Sequence, residues 1–449
     1  MTTSKQHVAA ESRVFVERFR ELEGVWSANG SSWFVERRRE AFECFTALGL
    51  PTPRDEAWKY TSVAPIKKHA FSCEAGHVDE SSLMPFAIEG LEATRLVIVD
   101  GVFRADLSHL GGLEDGVVAE SLATALSSRR AQIEPRLSQQ AEMDSQAFVA
   151  LNTALAEDGA YVHVAKNIDV SRPIHLQFVA TAKEAPLMAH PRVLIDVESG
   201  ARVKVIEDYV ALADGAIYLD NVVTEVFVAE NAHVTHHKLQ RESSAAFHVA
   251  TIAVEQGASS TFVSTSVSFG GVLVRNDIHA LLAGEGVECT LNGLVVGADS
   301  QHTDNHTRIV HAEPHSSSWE LYKSVLDDKA HSVFNGKIYV AKDAQKTDAK
   351  QTNQGLLLSE SAVIDTKPEL EIYADDVKCT HGATVGQLDE DALFYLRSRG
   401  IDSQSSRDLL VFAFASDVVD HVEIEPLRGL IEEMVFAKLP KSNLLESSH

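Results

Sequence analysis

The spacing of hydrophobic residues divides the chain into three parts. In the first part, apolar residues recur every three or four positions, which is typical of amphipathic helices, as in Phe15, Phe19, Leu22, Phe34, Ala41, Phe45 and Leu48. A short strand pattern covers Arg95 to Val99, and helical spacing returns at Phe148, Leu151 and Leu155. We therefore predict a mainly helical domain over residues 1–160.

In the second part, over residues 161–388, the pattern changes to short Val- and Thr-rich runs in which apolar and polar residues alternate. This alternation is typical of strands, and it is clearest in Arg192–Val197, Val203–Ile206, Val222–Val228 and Phe262–Val267. Similar turns with small residues precede the strands, at unequal intervals of about 30 residues. The pattern predicts a β-fold built as an irregular parallel β-helix, with a β-sandwich as the alternative.

The third part, over residues 389–449, is again helical in pattern. Asp389 is a suitable N-cap for a first helix, and the apolar positions predicted to lie on helix faces are Leu393, Leu409, Leu410, Ala413, Phe414, Leu430 and Met434. We expect the last residues, 442–449, to be disordered.

Composition restricts the classes of partner. The chain has 40 basic and 65 acidic residues and a formal net charge of −25, which disfavours nucleic acid and anionic membranes as partners. The amino terminus lacks the apolar stretch of a secretory signal, and the longest apolar run, Leu409–Ala415, is too short to span a bilayer. We expect a cytoplasmic protein that binds neither nucleic acid nor membrane.

The motifs of common enzymes are absent. The sequence has no phosphate-binding G-x-x-x-x-G-K-[ST] loop, no dinucleotide fingerprint and no G-x-S-x-G nucleophile motif. The four cysteines, Cys44, Cys73, Cys289 and Cys379, form no C-x-x-C pair, which argues against a disulfide framework and a four-thiolate metal site. His302 and His306 lie in a strand pattern, where they are more than ~13 Å apart, too far to share a zinc ion.

One short segment combines a thiol with an imidazole. Strand alternation places Cys379 and His381 on one side, with Cα atoms about 6.6 Å apart, and Lys378 and Thr380 on the other. A thiolate beside an imidazole suits iron or an iron–sulfur cluster, and the nearby Lys378 would favour the thiolate. A buried cysteine beside a hydrogen-bonded histidine is the alternative interpretation of the same spacing.

The same region carries a family resemblance. The stretches 334–349, 351–359, 368–372, 374–384 and 393–401 resemble the SufB/SufD family of iron–sulfur cluster assembly proteins, and Glu56–Thr61 is similar to an amino-terminal motif of the SufD branch. SufB proteins carry a cysteine in the segment that is Thr352–Gly355 here, and Glu-His-Glu where this chain has Lys378–Gly382. The resemblance is therefore to the SufD branch.

This resemblance implies a right-handed parallel β-helix between two helical domains and a non-catalytic scaffold. It implies pairing with a SufB-type paralogue, with His381 and Cys379 as transient metal ligands where an iron–sulfur cluster forms, and no stable cofactor in the isolated chain. It also implies that a SufC-type ATPase docks on the carboxy-terminal helices, at the apolar positions named above. The isolated chain could instead pair with itself.

Two alternatives remain open at this stage. A polysaccharide-active β-helix enzyme would share the architecture, although sugar-stacking aromatics are sparse in the strand region. A purely architectural paralogue would stabilise its SufB-type partner without contacting the cluster. Three roles thus stay open for His381, which are metal ligand, proton handler and packing residue.

Overall fold

The computed structural model describes residues 13–29, 32–183 and 185–438. Helices precede and follow the strands, as predicted. Their bounds are α1 (Arg13–Asn29), α2 (Ser32–Leu48), α3 (Glu80–Leu83), α4 (Leu122–Ser128), α5 (Arg130–Ile133), α6 (Ala147–Leu155), α7 (Glu390–Ser398), α8 (Ser403–Val419) and α9 (Glu425–Lys438). The predicted disordered residues 442–449 lie outside the described part of the chain.

The strands form two sheets of ten strands each. Their bounds are β1 (Thr94–Val99), β2 (Val102–Phe103), β3 (Val117–Ser121), β4 (Gly159–Val164), β5 (Ile174–Ala180), β6 (Leu187–Ala189), β7 (Arg192–Val197), β8 (Arg202–Ala211), β9 (Tyr218–Val228), β10 (His233–Arg241), β11 (Phe247–Gln256), β12 (Thr261–Ser268), β13 (Leu273–Leu282), β14 (Glu288–Gly297), β15 (His302–His311), β16 (Ser317–Leu326), β17 (His331–Val340), β18 (Asp348–Leu357), β19 (Val363–Ile372) and β20 (Lys378–Gly386). His302 and His306 thus lie on a strand, as predicted.

The two sheets are the two walls of a solenoid. Sheet 1 has the order β2-β1-β5-β8-β10-β12-β14-β16-β18-β20, and sheet 2 has the order β19-β17-β15-β13-β11-β9-β7-β4-β3, with β6 beside β9. From β7 onward, consecutive strands alternate between the sheets, and each pairs in parallel with the strand two further along. This makes about eight turns over residues 159–386. The parallel β-helix prediction is confirmed, and the sandwich alternative is wrong because these pairings are parallel.

A ladder of turns holds successive coils in register. Gly200, Asn231 and Ser259 adopt positive φ angles of 72°, 58° and 55°, a conformation that glycine and asparagine tolerate best. In this conformation the N–H of Gly200 donates to the carbonyl of Glu230 at 3.0 Å, and that of Asn231 donates to the carbonyl of Ala258 at 2.9 Å. The recurring small residues of the sequence therefore mark one corner of each coil.

The carboxy-terminal helices cover the outer face of sheet 1. Val418 on α8 and Leu427 and Ile431 on α9 are buried in one cluster with Leu239 and Leu294 of the sheet. Within the described ranges, no helix combines the length and the apolar character that a membrane span requires.

The amino-terminal motif packs on the outer face of sheet 2. Arg275 donates to the carbonyl of Ala57 at 2.9 Å, and its guanidinium lies 4.5 Å from the centre of the Trp58 ring. The Thr61 hydroxyl donates to Asp304. The motif therefore attaches the amino-terminal region to the solenoid.

The two ends of the solenoid differ. At the amino-terminal end, β2 and β3 are the outermost strands of sheets 1 and 2, and they pair antiparallel with β1 and β4. At the other end, β19 and β20 are the last strands of sheets 2 and 1, and each is paired on one side only within the described residues.

Candidate functional site

The candidate site lies at the carboxyl end of the solenoid, on the last coil. β20 pairs in parallel with β18, so that Cys379 lies beside Ala349 and His381 beside Gln351. Ala349 and Gln351 are each 1% exposed, because they point between the two sheets. Cys379 and His381 continue these two inward-facing columns, which confirms that thiol and imidazole share one side of the strand.

These two side chains are accessible because no further coil of the described chain covers them. Cys379 is half-buried and packs against the cluster that contains Ile338, Ala349 and Ala374. His381 is exposed, and no described residue forms a hydrogen bond or ion pair with its side chain. The alternative of a buried cysteine beside a hydrogen-bonded histidine is therefore wrong.

The environment of Cys379 favours the thiol over the thiolate. Burial raises its pKa above the ordinary value, the Asp348 carboxylate raises it further, and a hydrogen bond with the backbone of Ala349 opposes these effects in part. The expected thiolate stabilisation by Lys378 is wrong, because that ammonium is exposed on the other face. Cys379 must lose its proton when it binds a metal.

Two further polar residues continue the column of His381 into the solenoid, and the sequence interpretation missed both. Gln351 lies beside Glu320 on β16, and its Nε2 donates to Oε2 of Glu320 at 2.6 Å. Burial raises the pKa of Glu320 to about 7. The alternation of β16 and β18 is visible in the sequence, but only the parallel register shows that these residues stack beneath His381.

The predicted docking residues fall into two groups. The first group is wholly or partly buried. Leu393 is buried and Leu410 is half-buried, while Leu430 and Met434 pack against the cluster beneath α8 and α9. The Lys323 ammonium lies over the ring of Phe414, 4.3 Å from its centre. Leu409 and Ala413 are exposed one turn apart on α8. The exposed aromatic side chains of Phe394 and Tyr395 on α7 add to the apolar surface of these helices.

The last coil does not form a complete metal site. Cys379 and His381 provide two ligand atoms, fewer than the four that iron–sulfur clusters commonly use. Across the described ranges, the one group of three close metal-binding side chains is Asp220, Glu242 and His248, inside the solenoid and not at its end. A cluster held at Cys379 and His381 therefore needs ligands from outside the described chain.

Comparisons with known proteins agree with this architecture. Residues 178–414 match the family model described as the SUF system FeS cluster assembly, SufBD core domain, and residues 9–176 match the SufBD protein N-terminal region. These matches give no support to the alternative of a polysaccharide-active enzyme.

Individual relatives align over most of their length. An iron–sulfur cluster assembly SufBD family protein of Synechocystis is 35% identical, over 91% of this chain and 92% of the relative. The iron–sulfur cluster assembly protein SufD of Escherichia coli is 33% identical, over 87% and 90%. SufD of Bacillus subtilis is 28% identical, over 91% and 94%. The chain therefore belongs to the SufBD family of the SUF system for iron–sulfur cluster assembly.

Proposed function

We propose that this chain is a SufD-type scaffold subunit whose open solenoid end pairs with a SufB-type paralogue to form the site of cluster assembly. The observation that carries this proposal is the placement of the half-buried Cys379 and the exposed His381 on one inward-facing side of the last described coil. We expect this role to be non-catalytic. On the basis of the sequence, we also expect the protein to be cytoplasmic.

The open end is suited to pairing with another strand-rich chain. Among the residues that the structure describes, no strand pairs with the outer edges of β19 and β20, and such edges readily add further strands. Apolar side chains are exposed at the same end, with Val363 at 48%, Tyr373 at 60% and Val385 at 43%. A paralogue that covers this end would bury both the edges and these side chains.

The cluster is the cargo of this site and not a resident cofactor of the isolated chain. The His381 imidazole and the Cys379 thiolate would supply two ligands to iron while the partner supplies the others. Because the pKa of Cys379 is raised, iron binding must displace its proton. Cys379 would thus stay a protonated thiol until iron binds.

A SufC-type ATPase would dock on α7 and α8, at the exposed Leu409 and Ala413. The absence of a phosphate-binding loop in this chain is consistent with ATP hydrolysis on another subunit. The buried positions among the predicted docking residues stabilise the helices instead. In this way they would support the docking surface without contacting the partner.

Reconstitution with SufB-type and SufC-type chains separates this proposal from a purely architectural role. We expect His381→Ala to leave complex yield and thermal midpoint nearly unchanged, because the side chain is exposed and unpaired, and to lower the iron and sulfide content of the complex severalfold. The matched control is His77→Ala, which removes another exposed imidazole at a position distant from His381 in the sequence. Cys379→Ala should give a milder defect.

Two results would contradict the proposal. A normal iron and sulfide content in a fully assembled His381→Ala complex would favour the architectural paralogue. A His381→Ala chain that no longer assembles would show that the imidazole serves packing at the interface.

A further inference from the structure

A second candidate metal site lies inside the solenoid, several coils away from Cys379 and His381. Asp220 on β9 and His248 on β11 are register neighbours, and Glu242 directly follows β10 on the opposite sheet. Val222 and Ala250, two residues further along the same strands, belong to the inner core, so Asp220 and His248 also face inward. Three potential ligands from three strands thus converge between the sheets.

The geometry of the three side chains suits a single ion. One ligand atom from each residue lies within 4.8 Å of the other two. A first-row divalent ion with ligands at about 2.1 Å holds them at most about 4.2 Å apart, so small side-chain shifts would complete the site. Asp220, Glu242 and His248 are 7%, 8% and 0% exposed.

Two ligand atoms at this position are buried without a hydrogen-bond partner. They are Oε1 of Glu242 and Nδ1 of His248. Nδ1 lies 2.9 Å from Oε2 of Glu242, at ion-pair distance. Buried polar atoms are rarely left unsatisfied, and both belong to the group of three residues whose ligand atoms lie within 4.8 Å of one another.

The local charge favours a cation. Asp220 and Glu242 face one buried ammonium, that of Lys238, which contacts Nε2 of His248 at 2.8 Å. The nearby Glu207 carboxylate accepts from the hydroxyls of Tyr209 and Thr224 at 2.7 Å each, and its negative charge also acts on Lys238. Asp220 and Glu242 therefore retain one negative charge beyond what Lys238 balances.

We propose that Asp220, Glu242 and His248 bind one first-row divalent ion of the Zn²⁺, Fe²⁺ or Mn²⁺ class inside the solenoid. Two carboxylates with one imidazole match these ions better than Ca²⁺ or Mg²⁺, which prefer oxygen ligands alone, or Cu⁺, which prefers sulfur. This site is independent of the proposed role of Cys379 and His381.

Without the ion, a proton takes its place. Burial and the Glu242 carboxylate raise the pKa of Asp220 well above its ordinary value, so the two carboxylates then share a proton.

The full chain can test this site directly. The protein should be unfolded with EDTA, refolded with equimolar Zn²⁺ or anaerobic Fe²⁺, freed of loose metal by gel filtration, and analysed for metal content and thermal midpoint. We expect about one ion per chain and a midpoint several degrees higher than that of metal-free protein. Refolding with Mg²⁺ should give neither result.

Variants separate this site from adventitious binding. Asp220→Asn combined with Glu242→Gln should retain less than a tenth of an ion and show no metal-dependent midpoint. Glu320→Gln, which alters another buried carboxylate of the solenoid interior, should bind the ion normally. If the double variant fails to fold, Asp220→Asn alone serves, because its neutral amide resembles the protonated carboxyl in size and charge, so that it should fold without metal.

Three results would overturn the proposal. They are wild-type protein that refolds with no bound ion, a folded Asp220→Asn variant that binds as much metal as wild type, and loss of the ion in Glu320→Gln. The first would identify the cluster as a pair of carboxylates that share a proton. The second and third would place the ion elsewhere.

Discussion

The side-chain amide of Gln351 donates to the Glu320 carboxylate at 2.6 Å, one coil before His381 in the same inward-facing column. This contact places an acid with a pKa of about 7 in the solenoid interior beneath the proposed assembly site. The protonation of the interior near the open end therefore changes close to neutral pH.

The first prediction concerns pH and Glu320. Because folding raises the pKa of this carboxyl from 4.5 to about 7, the folded state binds the proton more tightly than the unfolded state does. The Glu320 carboxyl therefore contributes fully to stability below about pH 4.5, and this contribution is lost as the pH rises to about 7. Glu320→Gln should therefore gain about 2.5 kcal/mol relative to wild type between pH 5 and pH 8.

Urea denaturation at the two pH values measures this difference. Glu313→Gln, at an exposed position in the turn before β16, should show no comparable gain. An equal effect of Glu320→Gln at pH 5 and pH 8 would show that Glu320 is ionised in the folded protein at both.

The second prediction concerns the reactivity of Cys379 in the isolated chain. Burial and Asp348 raise its pKa, so alkylation should be slow at pH 7 and should accelerate steadily above pH 9. Asp348→Asn should increase the rate at pH 7.5 severalfold, since it removes a negative charge beside the thiol. Mass spectrometry of modified peptides follows the rate, with the fully buried Cys289 as the unreactive control.

The third prediction separates the stabilising and docking roles of the carboxy-terminal helices. Leu427 is fully buried against sheet 1, whereas Leu409 is 38% exposed. Leu427→Ala should cost about 2–5 kcal/mol of stability, and Leu409→Ala less than about 0.5 kcal/mol. Leu409→Ala should instead weaken binding of a SufC-type chain, measured by titration calorimetry. Unchanged affinity would place the docking surface elsewhere.

Point substitutions are required here because the helices cannot be removed cleanly. Truncation before Asp389 would uncover the buried face formed by Leu239, Val267 and Leu294. Lost binding after such a deletion would therefore report unfolding as readily as a missing interface.

The fourth prediction concerns the attachment of the amino-terminal region. Arg275 is paired with the buried Asp304 at 2.6 Å and with Asp277 at 2.8 Å. Arg275→Met should cost roughly 3–5 kcal/mol, because it leaves buried carboxylates without their partner. The exposed pair of Arg308 and Glu142 provides the control, since Arg308→Met should cost less than about 1 kcal/mol. Denaturant titration compares the stability of the two variants. Similar losses of stability would contradict the role of Arg275 in attaching the amino-terminal region.

The sequence predicted those parts of the site that depend on local periodicity. Alternation along one strand was sufficient to place Cys379 and His381 on one side, because side-chain direction in a strand has a period of two residues. The raised pKa of Cys379 was not predictable, since it arises from burial and from Asp348, which is in the neighbouring strand.

Contacts between coils could not be predicted in the same way. Asp220 and His248 become neighbours only through the parallel register of β9 and β11, and unequal coil lengths hide that register in the sequence. The stacking of Gln351 on Glu320 depends on register in the same way. Single-strand patterns therefore indicate the direction of each side chain but not its neighbour.

The two ends of the solenoid offer different edges to another chain. At the amino-terminal end the outermost strands are β2, with two residues, and β3, with five, and both run antiparallel to their neighbours. At the other end β19 and β20 have ten and nine residues and run parallel to theirs. Because a longer edge offers more backbone hydrogen bonds to an added strand, we expect another chain to add at the β19–β20 end and not at the other, which would limit the number of solenoids in one assembly.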